Sequence, residues 1–115
     1  MDKFVIRGGK PLKGQIRVEG SKNAALPIIL GSLLIGKGRT VIRNVPPLRD
    51  IRTVVKVMEY LGAKIDYNEE QHTMAIDAEN LNRRTAPYDL MRQMRASFLV
   101  LGPLLSRLGR AKVSL

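Results

Sequence analysis

The chain has 115 residues, of which 44% are hydrophobic and 26% charged, as in an ordinary soluble domain or part of one. It has no cysteine, no tryptophan and one histidine, which excludes disulfides, cysteine-ligated metals, a cysteine nucleophile and a multi-histidine metal site. The longest apolar stretch, residues 24–36, is interrupted by Pro27 and Ser32, whereas a membrane span needs roughly 20 apolar residues. We therefore expect a cytoplasmic protein without a membrane segment.

The formal net charge is +10, and it is unevenly distributed along the chain. Residues 1–56 carry +9, residues 57–82 carry −5 and residues 83–115 carry +6. Such a field attracts an anionic partner, which could be a phosphate, a nucleotide or a nucleic acid. A fragment of a larger, balanced protein could have the same charge, so charge alone leaves these interpretations open.

The first predicted elements are two short strands and a helix. Residues Gln15–Glu19 alternate between polar and apolar side chains, and Val5–Arg7 could pair with them. A helix is predicted over Ala24–Ile35. Because Pro27 is tolerated only in the first turn of a helix, we expect the helix to begin between residues 23 and 26. The plausible N-cap residues are Ser21 and Asn23.

The middle of the chain predicts a strand, an amphipathic helix and a hairpin. Residues Arg39–Arg43 have the composition of a strand. The apolar positions of residues 48–61 follow helical periodicity, and Gly62 ends that helix. Two further strands, Ala63–Tyr67 and Thr73–Asp77, are joined by a polar turn.

A third helix is predicted over Tyr88–Leu108, with Pro103 kinking or splitting it. At about 100° per residue, Arg95 falls on the flank of the apolar stripe of this helix, and Arg92 falls near the opposite face. A flank position packs the stem of Arg95 and aims its guanidinium, whereas Arg92 is solvated.

Three predicted helices end with an aliphatic residue, a glycine and then a basic residue before a strand. The three junctions are Ile35-Gly36-Lys37, Leu61-Gly62-Ala63-Lys64 and Leu108-Gly109-Arg110. This repeat predicts an α/β (α+β) fold with one β-α-β-α-β-β unit and the start of a second. The last residues, Lys112–Leu115, alternate as a strand without a following turn, so we expect a truncated chain.

Lys22 stands out by its position at a strand-to-helix turn. A helix N-terminus presents free N–H groups and partial positive charge, so a lysine there is a candidate anion-binding residue, although a solvated loop lysine fits the charge equally well. Arg49, near the start of the second helix, is a weaker candidate because a cation there opposes the helix dipole. His72 lies in a polar turn and is expected at the solvated surface. The acidic residues of the hairpin, namely Asp66, Glu69, Glu70 and Asp77, are expected to form a solvated edge.

Several segments together resemble the bacterial UDP-N-acetylglucosamine enolpyruvyl transferases. They are Gly20–Pro27, Asn44–Pro46 followed by Asp50, Leu61–Ala63, Ala86–Leu90, Met94–Ser97, Leu101–Leu104 and Gly109–Leu115. The resemblance runs from end to end with consistent spacing. It covers only the first part of the family protein, which is several-fold longer.

The resemblance implies the enolpyruvyl transferase fold, an inside-out α/β barrel with two domains of three β-α-β-α-β-β units and an active site between them. Residues 1–21 would be strands of the domain that the missing C-terminal part completes. Residues 22–115 would be the first unit, and the start of the second, of the other domain. We therefore expect the 115 residues alone to be catalytically silent and poorly folded, because most partners of the helices would lie beyond Leu115.

The resemblance also implies an activity. The family transfers the enolpyruvyl group of phosphoenolpyruvate to the 3-hydroxyl of UDP-N-acetylglucosamine, by addition and elimination, as the first committed step of peptidoglycan synthesis. Lys22 and Asn23 would bind phosphoenolpyruvate, and Arg95 would bind the UDP-sugar. Arg49 stands where relatives carry a lysine, and the two cations differ in geometry.

The family's catalytic cysteine lies in a Pro-Gly-Gly-Cys loop that follows the Val-Ser-Leu strand, so the resemblance implies no catalytic residue within this chain. The related shikimate-pathway enzyme typically has a serine after the lysine, and Asn23 and Pro27 argue against it. The alternative from another class is a small basic nucleic-acid-binding module. The five aromatic residues of this chain are scattered along the sequence and form no stacking platform, which argues against that alternative. We expect anionic small-molecule substrates, no nucleic acid partner, no metal and no cofactor.

Overall fold

The computed structural model describes residues 1–114, except for the side chain of Ser97. Both helices and strands form from residue 22 onwards, which confirms the predicted mixed α/β class. The elements are α1 (Lys22–Gly31) with a 3-10 turn (Ser32–Leu34), β1 (Arg39–Arg43), α2 (Arg49–Leu61), β2 (Lys64–Asn68), β3 (Thr73–Asp77), α3 (Tyr88–Met91), a 3-10 segment (Arg95–Val100) and α4 (Leu101–Leu108).

The three strands form one sheet in the order β1-β3-β2, and β3 is antiparallel to both neighbours. Strands β1 and β2 are therefore parallel to each other, and α2 connects them across the sheet. The register aligns Ile42 with Met74 and Tyr67, and Thr40 with Ile76 and Ile65. Because side chains alternate along a strand, these rows form the face of the sheet that packs on the core.

The core is built around the apolar face of α2. Ile51, Val54, Met58 and Leu61 are completely buried, and they belong to one cluster with residues of α1, the sheet and α4. Helix α2 therefore buries its apolar face against partners within the chain. Gly62 ends α2 in the left-handed conformation, with a φ of 111°, as its position predicted.

The N-terminal segment differs from its prediction. In the described part of the chain, no strand forms before Arg39, so the strands expected at Val5–Arg7 and Gln15–Glu19 are absent there. Their apolar side chains are open to solvent, with Ile6 87% and Ile16 90% exposed. Alternation alone does not make a strand, because a strand also needs a neighbour to accept its hydrogen bonds.

Helix α1 begins at Lys22, with Ser21 as its N-cap residue, one residue earlier than expected. Pro27 is therefore the sixth helical residue and lies beyond the first turn. Since proline has no N–H, it cannot donate to the carbonyl of Asn23, and the helix is one hydrogen bond poorer at this point. Burial of Leu26 and Ile29 on the core face offsets that loss.

The third predicted helix is split into three pieces, and the break lies well before Pro103. Residues 92–94 leave the helix, and Met94 has an extended backbone with φ −151° and ψ 120°. Pro103 is the third residue of α4, a first-turn position where its missing N–H costs nothing. Helical periodicity predicted neither the break nor the buried face: Met91, Met94, Val100 and Leu104 are buried, whereas Phe98, Leu101 and Leu105, which a continuous helix would place on its apolar stripe, are exposed.

The end of the chain, where a strand was predicted over Lys112–Leu115, is partly paired. Lys112 forms a parallel bridge with Thr85, its N–H donates to the carbonyl of Arg84 at 2.7 Å, and its carbonyl accepts from Ala86 at 3.0 Å. Of the predicted strand, Leu115 lies outside the described residues. Within residues 1–114, no helix combines the length and apolar character needed to cross a membrane.

Arg107 ties α4 to two other parts of the fold. Its guanidinium donates to the carbonyls of Leu33 (2.7 Å), Ile35 (3.4 Å), Ala78 (3.0 Å) and Glu79 (3.3 Å). One side chain thereby joins the segment after α1 to the segment after β3. A planar guanidinium can serve several carbonyls at once, which a lysine ammonium cannot match in geometry.

Replacing Arg107 with lysine should therefore lower the free energy of unfolding by about 1–3 kcal/mol, because charge-assisted hydrogen bonds are lost. Urea unfolding followed by circular dichroism measures this change. Arg110→Lys is the matched control, since Arg110 is exposed just beyond α4. Equal stabilities for the two variants would contradict the role of Arg107.

Tyr67 anchors β2 to the loop before α2. Its hydroxyl donates to the carbonyls of Pro46 (2.9 Å) and Val45 (3.3 Å). Burial raises the pKa of Tyr67 above its usual value, the charge of Glu69 raises it further, and the charge of Arg52 partly opposes these effects.

This raised pKa predicts a loss of stability at alkaline pH. The unfolded tyrosine loses its proton near pH 10, and the folded one does so at a higher pH, so the unfolded state binds fewer protons between the two values. Stability must then fall as pH rises through this range. Comparing urea unfolding of the unaltered chain with Tyr67→Phe between pH 8 and about 11 isolates the effect, and parallel stability curves would refute it.

Candidate functional site

A cleft of about 320 Å³ opens where the first turns of α1 and α2 meet the segment after α3. It is lined by four polar and four apolar residues: Lys22, Asn23, Leu26, Asp50, Met94, Arg95, Ala96 and Phe98. Three of the four site residues expected from the sequence, Lys22, Asn23 and Arg95, thus line one cleft although about 70 positions separate Asn23 from Arg95.

Lys22 forms an ion pair with Asp50, another residue that lines this cleft. Its Nζ lies 3.0 Å from Oδ2 of Asp50, and the two side chains are 44% and 27% exposed. Lys22 is the first residue of α1, and Asp50 is the second residue of α2. The contact therefore brings the N-terminal turns of two helices side by side.

Both helix N-termini contribute positive potential to the cleft. The first N–H groups of α1 and α2 have no partners within their helices, and neither N-cap side chain bonds to them. A carboxylate near such a terminus is stabilised, which suits Asp50, and so is an anionic ligand. Asn23 adds a side-chain amide that can both donate and accept.

Arg95 reaches the cleft for a different reason from the one that periodicity suggested. The predicted continuous helix does not form, so the argument from its flank is wrong. Arg95 instead begins the 3-10 segment, directly after the extended backbone of Met94. That turn of the chain places Arg95 beside the N-terminus of α1 and leaves its side chain exposed.

Arg92 and Arg49 lie away from this cleft. Arg92 is exposed, with its Nε 3.8 Å from Oδ1 of Asp89 and its guanidinium 5.9 Å from the ring centroid of Tyr88. Arg49 is also exposed, and it does not belong to the cleft lining although its neighbour Asp50 does. Arg49 was the weaker candidate because of its position on the helix, and it lies outside the lining of the cleft.

Sequence reasoning missed Asp50 and Phe98 as site residues. Asp50 entered only as part of a motif, and Phe98 only as a scattered aromatic. The available signal for Asp50 was its place in the first turn of an amphipathic helix, one residue after a cation. Nothing in the local sequence indicates Phe98, because its place in the cleft depends on the break after α3.

The surroundings of the hairpin turn were only partly predicted. His72 is half-buried instead of fully solvated, has a φ of 52°, and accepts a hydrogen bond from the N–H of Val45 through its carbonyl. Glu69 pairs with Arg52 at 2.6 Å, so the acidic edge is bonded to α2. Within residues 1–114, no three carboxylate or imidazole side chains are arranged to hold a metal ion.

Comparison with known proteins relates this chain to a family of transferases. The family model described as EPSP synthase (3-phosphoshikimate 1-carboxyvinyltransferase) matches residues 6–115. The UDP-N-acetylglucosamine 1-carboxyvinyltransferase of Solidesulfovibrio magneticus is 59% identical over the whole chain, which covers 27% of that relative. The protein of the same name from Chloroherpeton thalassium is 53% identical, and the chain covers 26% of it.

A solved structure agrees with the fold. The enolpyruvyl transferase NikO from Streptomyces tendae superposes with a TM-score of 0.77 at 25% identity, over 89% of this chain and 23% of NikO. The chain spans about a quarter of the length of the curated relatives it matches. Since the family model covers nearly every residue, the chain belongs to the EPSP synthase family of carboxyvinyl transferases.

Proposed function

We propose that this chain forms part of an enzyme that transfers the enolpyruvyl group of phosphoenolpyruvate to the 3-hydroxyl of UDP-N-acetylglucosamine and releases phosphate. The observation that carries the proposal is the convergence of Lys22, Asn23 and Arg95 on one cleft between two helix N-termini. Both substrates are polyanions, which suits a cleft with two cations and a chain with a net charge of +10. The names of the relatives that are 45–59% identical support the choice of substrates.

The roles follow from the chemistry of the three side chains. Lys22 offers a compact charge to the phosphate or carboxylate of phosphoenolpyruvate, and the amide of Asn23 donates beside it. Arg95 offers a planar fork, which suits the diphosphate of the UDP-sugar. We assign no substrate contact to Arg49.

The proposal includes the rest of the enzyme. The reaction adds the sugar hydroxyl to the double bond of phosphoenolpyruvate and then eliminates phosphate, so a proton must be delivered and removed again. We assign that role to residues outside this chain. The exposed apolar side chains of residues 1–18 support the view that residues 1–21 pack on a second domain.

We also place the reaction in the cytoplasm, since phosphorylated substrates do not cross a membrane unaided.

The activity can be tested in a chimera in which these 115 residues replace the matching segment of the Solidesulfovibrio magneticus relative. We expect phosphate release that requires both phosphoenolpyruvate and UDP-N-acetylglucosamine. The substrate 3-phosphoshikimate should not replace the UDP-sugar. An inactive chimera, or one that accepts only 3-phosphoshikimate, would overturn the proposal.

Variants of this chimera test the individual cations. Lys22→Ala and Arg95→Ala should each reduce kcat/KM by roughly ten- to a hundredfold, because a charge-assisted contact of about 1.5–3 kcal/mol is lost. Arg92→Ala is the control, since Arg92 pairs with Asp89 outside the cleft, and it should change little. Steady-state kinetics with each substrate varied in turn provide the measurement. Losses of equal size at Arg92 and Arg95 would show that the cleft is not the substrate site.

A further inference from the structure

We propose that Asp50 is a positioning residue for Lys22, whose ammonium it holds over the cleft so that the free protons of that group face the anionic substrate. The inference rests on the proposed function, because it concerns how the same cleft receives its anion. It adds to that function a residue which touches Lys22 instead of the substrate.

The distance and the exposure of the pair support this role. Nζ of Lys22 and Oδ2 of Asp50 are 3.0 Å apart, which is a charge-assisted hydrogen bond. An ammonium has three protons, so two remain for a ligand when Asp50 accepts one. The side chain of Lys22 is 44% exposed, which leaves these protons accessible from the cleft.

Asp50 is the fixed partner of the pair. It has a short side chain on the first turn of α2, where the helix dipole favours a carboxylate. The next residue, Ile51, is completely buried, which anchors that turn to the core. Lys22 has a long, flexible stem with considerable rotamer freedom. The ion pair therefore restrains the lysine much more than the aspartate.

A carboxylate at this place also has an opposing effect, because it repels an incoming anion. The pair lies in an open, partly hydrated cleft, where a high effective dielectric weakens this repulsion. The restraint on Lys22 comes from a direct contact with Asp50, so a high dielectric weakens it less than it weakens the repulsion of a more distant anion. We therefore expect positioning to outweigh repulsion, and the two effects predict changes of opposite sign.

Kinetics of the chimera separate these effects. Asp50→Ala should lower kcat/KM for phosphoenolpyruvate roughly three- to tenfold, and Asp50→Asn, which keeps an oxygen acceptor, should lower it less. The KM for UDP-N-acetylglucosamine should be unchanged. Asp89→Asn is the matched control, since Asp89 is also a first-turn carboxylate paired with a cation but lies outside the cleft.

A double-mutant cycle tests whether Asp50 acts through Lys22. In the Lys22→Ala background, Asp50→Ala should cause no further loss, because there is no ammonium left to position. A full additional loss in that background would overturn the proposal. So would a gain in kcat/KM for phosphoenolpyruvate in the single variant, which would show that Asp50 only competes with the anion.

A second measurement does not depend on turnover. NMR relaxation of the Lys22 ε-methylene in the 115-residue chain reports the order of that side chain directly. We expect its order parameter to fall in Asp50→Ala and to stay constant in Asp89→Ala. An inactive chimera would disprove the proposed function alone, whereas an unchanged order parameter in Asp50→Ala would disprove the positioning role.

Discussion

Helix α2 has a single apolar face, and this face must be covered at once by the sheet and by α1. Ile51, Val54 and Met58 lose all contact with water in this arrangement. With that face buried, the start of α2 lies beside the start of α1. The hydrophobic constraint thereby produces the polar feature of the molecule, a pair of adjacent helix N-termini with an anion-attracting potential.

Much of the fold was predictable from the sequence because its signals are local. The strands Arg39–Arg43 and Thr73–Asp77 were predicted with their observed bounds, and the end of α2 at Leu61, before Gly62, was predicted as well. Alternation, helical periodicity and a glycine stop are properties of a few neighbouring residues. The break at residues 92–94 was not predictable in this way, because it depends on where the rest of the core lets Met91 and Met94 be buried.

The residues of the candidate site also differ in how far the sequence could predict them. Lys22 could be singled out because a helix N-terminus is visible in the sequence, whereas Asn23 entered as a binding residue only through the family resemblance. Arg95 was chosen from a helical face that does not exist, so its place beside Lys22 has a different physical cause, the extended backbone at Met94. The position of Asp50 in the first turn of a helix is visible in the sequence, but its contact with Lys22 depends on the packing of two helices. The outcome is a cleft whose charged residues come from three separate segments, each held by apolar neighbours.

We expect this cleft, and not the general basic surface, to receive the anionic ligand. Titration of the isotope-labelled chain with UDP-N-acetylglucosamine and phosphoenolpyruvate, and separately with a short oligonucleotide, tests the claim most directly. If the cleft binds the substrates, saturable NMR shift changes should be confined to residues 22–26, 50 and 94–98, with little response to the oligonucleotide at moderate salt. Tight, steeply salt-dependent oligonucleotide binding without shifts at these residues would contradict it.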